Sequence, residues 1–157
     1  MHITALSELT LDKLVLFEKR ARLSEPDIFA QGFDEVAFRN GTLAALKNPI
    51  FSSARCLICI NDNGDIVGRI DFSILPSFAF AGDLRAYVDW VYVLKAFRHK
   101  GIAQALFEKM EEVLTALGVH EYFLVAAENE EAQRFYNAFP KAQIQKRDIL
   151  TKTGMSG

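Results

Sequence analysis

The stretch from Tyr87 to Ala126 constrains this chain most. It runs from an apolar strand through a glycine-bearing loop into a long amphipathic helix and out to a second apolar strand. Tyr87-Val88-Asp89-Trp90-Val91-Tyr92-Val93-Leu94 is rich in β-branched and aromatic residues, as strands are. Ile102, Leu106, Met110, Val113, Leu114 and Leu117 recur at helical spacing. Between them lies Arg98-His99-Lys100-Gly101-Ile102-Ala103, an R-x-x-G-x-A run. A strand, a glycine loop and a helix in that order gather unpaired backbone N–H groups at the positive end of a helix dipole. That arrangement suits a phosphate, so a phosphorylated cofactor is expected. Glu121–Ala126 then reads as a strand parallel to the first, and its unbroken apolar run predicts cover on both faces.

The rest of the chain falls into place around this βαβ unit. His2–Leu6 reads as a first strand and Thr10–Leu23 as a helix that Thr10 can cap, with Leu14, Phe17 and Ala21 on one side. Asp34–Lys47 is a second helix, ended by Asn48-Pro49. Ala54–Ile60 and Asp65–Leu75 are strands joined through Asn61-Asp62-Asn63-Gly64, where Asn and Gly tolerate positive φ. Arg85–Leu94 completes the meander. Asn129 caps a further helix carrying Ala132, Phe135, Tyr136 and Phe139, which Pro140 stops. Gln143–Leu150 is expected as a final strand, at an edge suited to pairing with a second subunit in a homodimer. The order is β-α-α-β-β-β-α-β-α-β. It predicts an α/β (α+β) fold, with a mixed, mostly antiparallel central sheet flanked by helices, in a single domain spanning residues 1–157 with a frayed end from about Thr151.

Composition excludes some partners. Eighteen Lys and Arg stand against 20 Asp and Glu, a net charge of −2 in 157 residues. No broad positive field for nucleic acid or an anionic membrane follows from that balance. No apolar run reaches the roughly 18 residues of a membrane helix, and Met1-His2-Ile3-Thr4 opens no secretory leader, so a cytoplasmic protein is expected. Cys56 and Cys59 form a C-x-x-C inside a strand-like run. Three positions apart on a strand, their side chains point to opposite faces with Cα atoms roughly 10 Å apart, beyond the ~7 Å that a disulfide spans. No second cysteine pair or paired histidine completes a zinc site, and no metal is expected.

Val91-Tyr92-Val93-Leu94-Lys95-Ala96-Phe97-Arg98-His99-Lys100-Gly101-Ile102-Ala103 resembles the cofactor motif of the GNAT superfamily of N-acetyltransferases. Asn129-Glu130-Glu131-Ala132-Gln133-Arg134-Phe135-Tyr136 resembles that family's second motif, N-x-x-A-x-x-F-Y. The resemblance implies acetyl-CoA as donor. It implies that the loop residues Arg98, His99, Lys100, Gly101, Ile102 and Ala103 hold the pyrophosphate. It further implies that main-chain groups of Val91 and Val93 pair with the pantetheine arm, that Asn129 binds the arm from the neighbouring side, and that Tyr136 sits by the thioester sulfur. Lys95 stands where the family often has proline, Ala103 where glycine is frequent, and Pro140 where a glycine usually follows the last helix. Proline cannot adopt the left-handed conformation, so the turn there must differ.

Acyl transfer from a thioester to an amine needs a neutral amine, a stabilised oxyanion and a proton for the departing thiolate. Tyr136 can supply the proton or a hydrogen bond to sulfur. Asp89, unusual in a strand interior, can take the ammonium proton through a water or simply bind a cationic acceptor. Strict alternation would put Asp89 on one face with Tyr87, Val91 and Val93. By the resemblance, the acceptor meets the first two helices and the loop before the central strand. Those regions carry Glu25, Asp27, Asp34 and Glu35 with Phe29, Phe33, Phe78 and Phe80, a combination that suits a cationic amine. The segment Tyr87–Arg98 is also similar to aminoglycoside 6′-N-acetyltransferases, which points to a small polyamine or amino-sugar acceptor. An enzyme for protein N-termini or lysines, and a non-catalytic CoA-binding regulatory module, are the alternatives.

Overall fold

The structure, a computed structural model, describes residues 1–29, 32–78 and 81–154. Two compact units make up the chain, Met1–Leu124 and Val125–Gly157. The first holds a five-stranded sheet in the order β1-β2-β3-β4-β5, formed by β1 (His2–Ala5), β2 (Ala54–Ile60), β3 (Ile66–Pro76), β4 (Leu84–Val93) and β5 (Tyr122–Leu124). Neighbours are antiparallel except β4 and β5, which run parallel as the βαβ reading requires. Helices α1 (Leu11–Ser24), α2 (Glu35–Lys47) and α3 (Ile102–Ala116) complete this unit. The second unit holds α4 (Glu130–Asn137). Among the described residues no helix is long and apolar enough to cross a membrane.

The two sheet faces are built from different helices. Leu11, Leu14, Phe17 and Ala21 line one side of α1 and bury against Ile58, Ile60, Ile66, Tyr92 and Leu94. Ile102, Leu106, Met110 and Leu114 form the buried stripe of α3, whose first turns meet the opposite face at Gly68. A Cβ built on Gly68 would stand 3.0 Å from Ile102 Cγ2 and 3.3 Å from both Leu106 Cδ1 and Val93 Cγ2. Glycine therefore lets the start of α3 press onto the sheet. Gly68→Ala is expected to cost about 1–3 kcal/mol through overpacking, read as a lower urea midpoint; an unchanged midpoint would show that α3 has slack there.

Cys56 lies opposite Asp71 and Cys59 opposite Gly68, so the two thiols occupy opposite faces of β2, and both are free. The hairpin turn forms as expected. Asn61 Oδ1 accepts from the amides of Asn63 and Asp65, and Gly64 takes φ 80°.

Several local expectations are corrected. Thr10 precedes α1 but does not cap it with its side chain. Its hydroxyl accepts from the Ser7 amide and donates to the Ser7 carbonyl, both at 3.0 Å, closing a 3-10 turn over Glu8–Thr10. β5 has three residues and lies at the edge of the sheet, with Phe123 48% exposed, so it is not covered on both faces. Residues 143–150 form no strand. The four consecutive polar residues Gln145-Lys146-Arg147-Asp148 give that segment no continuous apolar face to bury, and the edge expected to pair with a second subunit is not formed. In the turn that follows α4, Lys141, one place after Pro140, is left-handed (φ 62°). Phe80 lies outside the described residues.

Candidate functional site

β4 hands over to α3 through a 3-10 turn at Lys95–Phe97. Beyond Arg98 the chain turns through two left-handed residues, His99 (φ 59°) and Gly101 (φ 76°). Gly101 is the N-cap of α3, with no side-chain cap and no acidic residue in the first turn. The Ala105 amide is the first to bond within the helix, to the Gly101 carbonyl at 3.0 Å. The amides of Ile102, Ala103 and Gln104 thus lack helical acceptors. By contrast, α2 and α4 are closed by side chains. Asp34 Oδ1 accepts from the Ala37 amide and Asn129 Oδ1 from the Ala132 amide. α3 begins without a side-chain cap, and the positive end of its dipole is of the kind that suits an anion. The Lys100 ammonium bends back to the Ala96 carbonyl at 3.3 Å, over the Phe97 ring.

The strand entering this loop has an open edge. β5 pairs with Ala86, Tyr87 and Val88 only, and from Asp89 onward that edge of β4 meets no strand among the described residues. The Leu94 amide donates to the Val67 carbonyl at 3.0 Å. Antiparallel ladders alternate, so Tyr92 also turns its backbone groups to β3, while Val91 and Val93 turn theirs to the open side. The Val93 carbonyl accepts from Arg98 Nε at 3.1 Å.

Asp89 is the extra residue of a β-bulge. Asp71 lies opposite Trp90 and Phe72 opposite Val88, which leaves Asp89 without a cross-strand partner. This corrects the expected alternation. Val88, Val91 and Val93 share the α3 face with Phe72, Ile70 and Gly68, whereas Tyr87, Trp90 and Tyr92 share the other face with Ser73, Asp71 and Arg69. Tyr87 therefore does not stand with Val91 and Val93. Asp89 itself is exposed and makes no ion pair or hydrogen bond among the described residues. Arg69 and Arg85 are engaged elsewhere, Arg69 with Glu18 (2.6 Å) and Asp71, and Arg85 with Glu121 (3.1 Å).

On the α1 side of β4 an aromatic wall forms. Trp90 stacks on Tyr92 with centroids 6.4 Å apart, and Phe29 meets both rings edge-on at 6.0 and 5.3 Å. Arg22 lies over Phe29 and Phe33, 4.9 and 4.2 Å from the ring centres. Trp90 remains 39% exposed, so the wall has an open face beside Asp89. Most acidic residues of the region have structural duties. Glu25 holds Arg98 and Tyr92, Asp34 caps α2, and Glu35 pairs with Lys19 at 2.7 Å. Asp27 is exposed, and Phe78 is fully so.

In the second unit, α4 carries Asn129 as its cap and Tyr136 near its end. The Tyr136 ring packs edge-on to Phe135 at 5.3 Å and tilts against Phe139 at 6.1 Å. Burial pushes its phenol above the usual tyrosine range, so it stays protonated at neutral pH.

A family model for the Acetyltransferase (GNAT) family matches residues 22–139, well over half of the chain and both motif segments. The chain belongs to the GNAT family of acetyltransferases. The fold of this GNAT enzyme is shared with solved structures of low sequence identity. An acetyltransferase from Trypanosoma brucei is 22% identical with TM-score 0.67, covering 95% of this chain and 99% of that one. An aminoglycoside acetyltransferase from an uncultured soil metagenomic sample, in complex with sisomicin, is 18% identical with TM-score 0.78, covering 98% and 96%. A ribosomal-protein-alanine N-acetyltransferase from Brucella melitensis is 20% identical with TM-score 0.72, covering 97% and 100%. No curated protein matches the sequence.

Some features of this GNAT site escape sequence reasoning. The Trp90 and Tyr92 wall has a sequence signal, aromatics two apart on a strand. The pairing of Glu25 with Arg98 and of Glu18 with Arg69 has none, because each joins residues far apart in the chain.

Proposed function

We propose that this GNAT enzyme transfers the acetyl group of acetyl-CoA directly to a primary amine of a small cationic acceptor. The observation that carries the reading is the uncapped start of α3 behind left-handed Gly101, next to the unpaired edge of β4. The family generally uses acetyl-CoA, and these groups fit such a donor. Amides of His99, Lys100, Gly101, Ile102 and Ala103 are proposed to hold its pyrophosphate, with Arg98 shaping the loop. The backbone groups of Val91 and the amide of Val93, whose carbonyl already accepts from Arg98, are proposed to pair with its extended arm, and Asn129 to contribute from α4. The donor, when bound, supplies an activated acyl group.

Two side chains are proposed for the chemistry. Tyr136, a neutral phenol, donates a proton or hydrogen bond to the departing thiolate. Asp89, an exposed carboxylate with no partner among the described residues, draws in the ammonium and takes its proton through a water. Trp90 beside it offers a ring face to the acceptor. The aminoglycoside acetyltransferases among the fold neighbours are in keeping with a small cationic acceptor.

The test is thiol release from acetyl-CoA across polyamines, amino sugars and amino acids. Release is expected to depend on the added amine, and a panel in which none stimulates it would sink the proposal. With an active amine, Asp89→Asn is expected to lower kcat/KM for the amine about 10²-fold while leaving acetyl-CoA affinity within twofold. A loss confined to KM assigns Asp89 to binding, a loss in kcat assigns it to proton transfer, and no loss removes it from the site.

A further inference from the structure

Glu25 ends α1, and its carboxylate is the hub of a polar cluster. Arg98 grips it with both terminal nitrogens, Nη1 to Oε1 at 3.0 Å and Nη2 to Oε2, and the Tyr92 hydroxyl also donates to Oε2. The third Arg98 nitrogen, Nε, donates to the Val93 carbonyl, and the guanidinium lies 5.3 Å from the Tyr92 ring centre. The two-pronged geometry fixes orientation as well as distance, which a single ammonium contact would not. The pair is largely screened from water, with the Glu25 side chain 13% exposed. Arg98 and Tyr92 hold the Glu25 carboxyl below the usual carboxylate range despite its burial, so the pair is charged at neutral pH.

The location gives the cluster a consequence. Arg98 is the last residue before the left-handed turn into α3, and Val93 is the last residue of β4. One guanidinium therefore fixes both ends of the segment whose backbone faces the proposed cofactor. Glu25 also starts the chain segment that leads to Phe29, where the Ile28 N–H donates a hydrogen bond to the Glu25 carbonyl at 3.1 Å.

We propose that Glu25 is a positioning residue of the cofactor loop, acting through Arg98 to set the Val93–Arg98 backbone and thereby the direction of the first-turn amides of α3. It touches neither substrate nor reacting atoms. The proposal rests on the reading of that loop as the pyrophosphate cradle.

The test is calorimetric titration of CoA into the full chain, its Glu25→Gln and Arg98→Lys variants and the double variant, with melting temperatures alongside. The wild type binds CoA if the underlying reading holds; if it does not, that reading fails before the variants are considered. Each single variant is expected to weaken CoA about 10-fold. The double variant is expected to be no weaker than the worse single one, because the two side chains act as a unit. Affinities unchanged despite lowered melting temperatures would make the pair a plain structural brace and overturn the proposal. Additive losses would also overturn it. Should Glu25→Gln fail to fold, Arg98→Lys, which keeps the charge and loses the fork, decides alone.

Discussion

Tyr136→Phe is expected to slow acetyl transfer by about 10²-fold while leaving CoA affinity within twofold. The substitution removes one hydroxyl and keeps the ring that packs against Phe135 and Phe139, so the helix surface is preserved. The departing thiolate develops negative charge in the transition state, and a positioned donor stabilises it by a hydrogen bond or a proton. The phenol is a donor only while protonated. Burial raises its pKa above the ordinary value near 10. Any fall in kcat caused by its ionisation therefore lies above about pH 10, and the variant should lose that limb of the profile. An unchanged kcat in Tyr136→Phe would reduce Tyr136 to a half-buried packing residue. The readout is initial rates of thiol release under saturating acceptor, with CoA affinity by calorimetry.

The largest loss of stability is expected from Arg69→Met, about 3–5 kcal/mol. Arg69 sits between two carboxylates, bonding Glu18 at 2.6 Å and gripping Asp71 with two nitrogens. Glu18 is the one charged residue among the buried described ones, 4% exposed. Removing the guanidinium leaves Asp71 facing the Cys56 thiol, whose own pKa is already pushed up by burial and by Asp71. Arg22 still bonds the other oxygen of Glu18, which limits the damage on that side. Against a domain stability of about 5–15 kcal/mol, such a loss is a large share of the whole. Urea denaturation would show it as a lower midpoint at similar slope. A loss below about 1 kcal/mol would mean that the network is as weak as a surface ion pair. Replacing Glu18, Arg69 and Asp71 together with apolar residues of similar volume should recover part of the loss, because no charge is then left buried alone.

Much of the fold was legible because the signals are local. The spacing of Leu14, Phe17 and Ala21 located α1, Asn61-Asp62-Asn63-Gly64 located the hairpin, and Asp34 and Asn129 marked the starts of α2 and α4. The final strand was misread because residues 143–150 offer apolar positions at intervals without a face to bury. Asp89 was legible as an odd residue in a strand but not as a bulge. A bulge is a relation between two strands, and period-two reading of one strand cannot register an inserted residue on it. The acidic residues of the acceptor region looked equivalent in sequence. Only their partners separate Glu25, Asp34 and Glu35, which are engaged, from Asp27 at the surface.

By itself, the sequence determined the strand–loop–helix with a glycine in its loop, the Asn129 cap of α4, the opposite faces of Cys56 and Cys59, and through two motifs the family. Each of these depends on hydrogen bonds or side-chain periods spanning a few residues. The tertiary structure alone decided that β4 carries a bulge at Asp89, that Arg98 is clamped by Glu25, and that Glu18, Arg69 and Asp71 form one charged network. Those arrangements join groups held apart by long stretches of chain. Their partners are selected by strand register and by the cost of burying a charge without an opposite one, and neither is set until the sheet has formed.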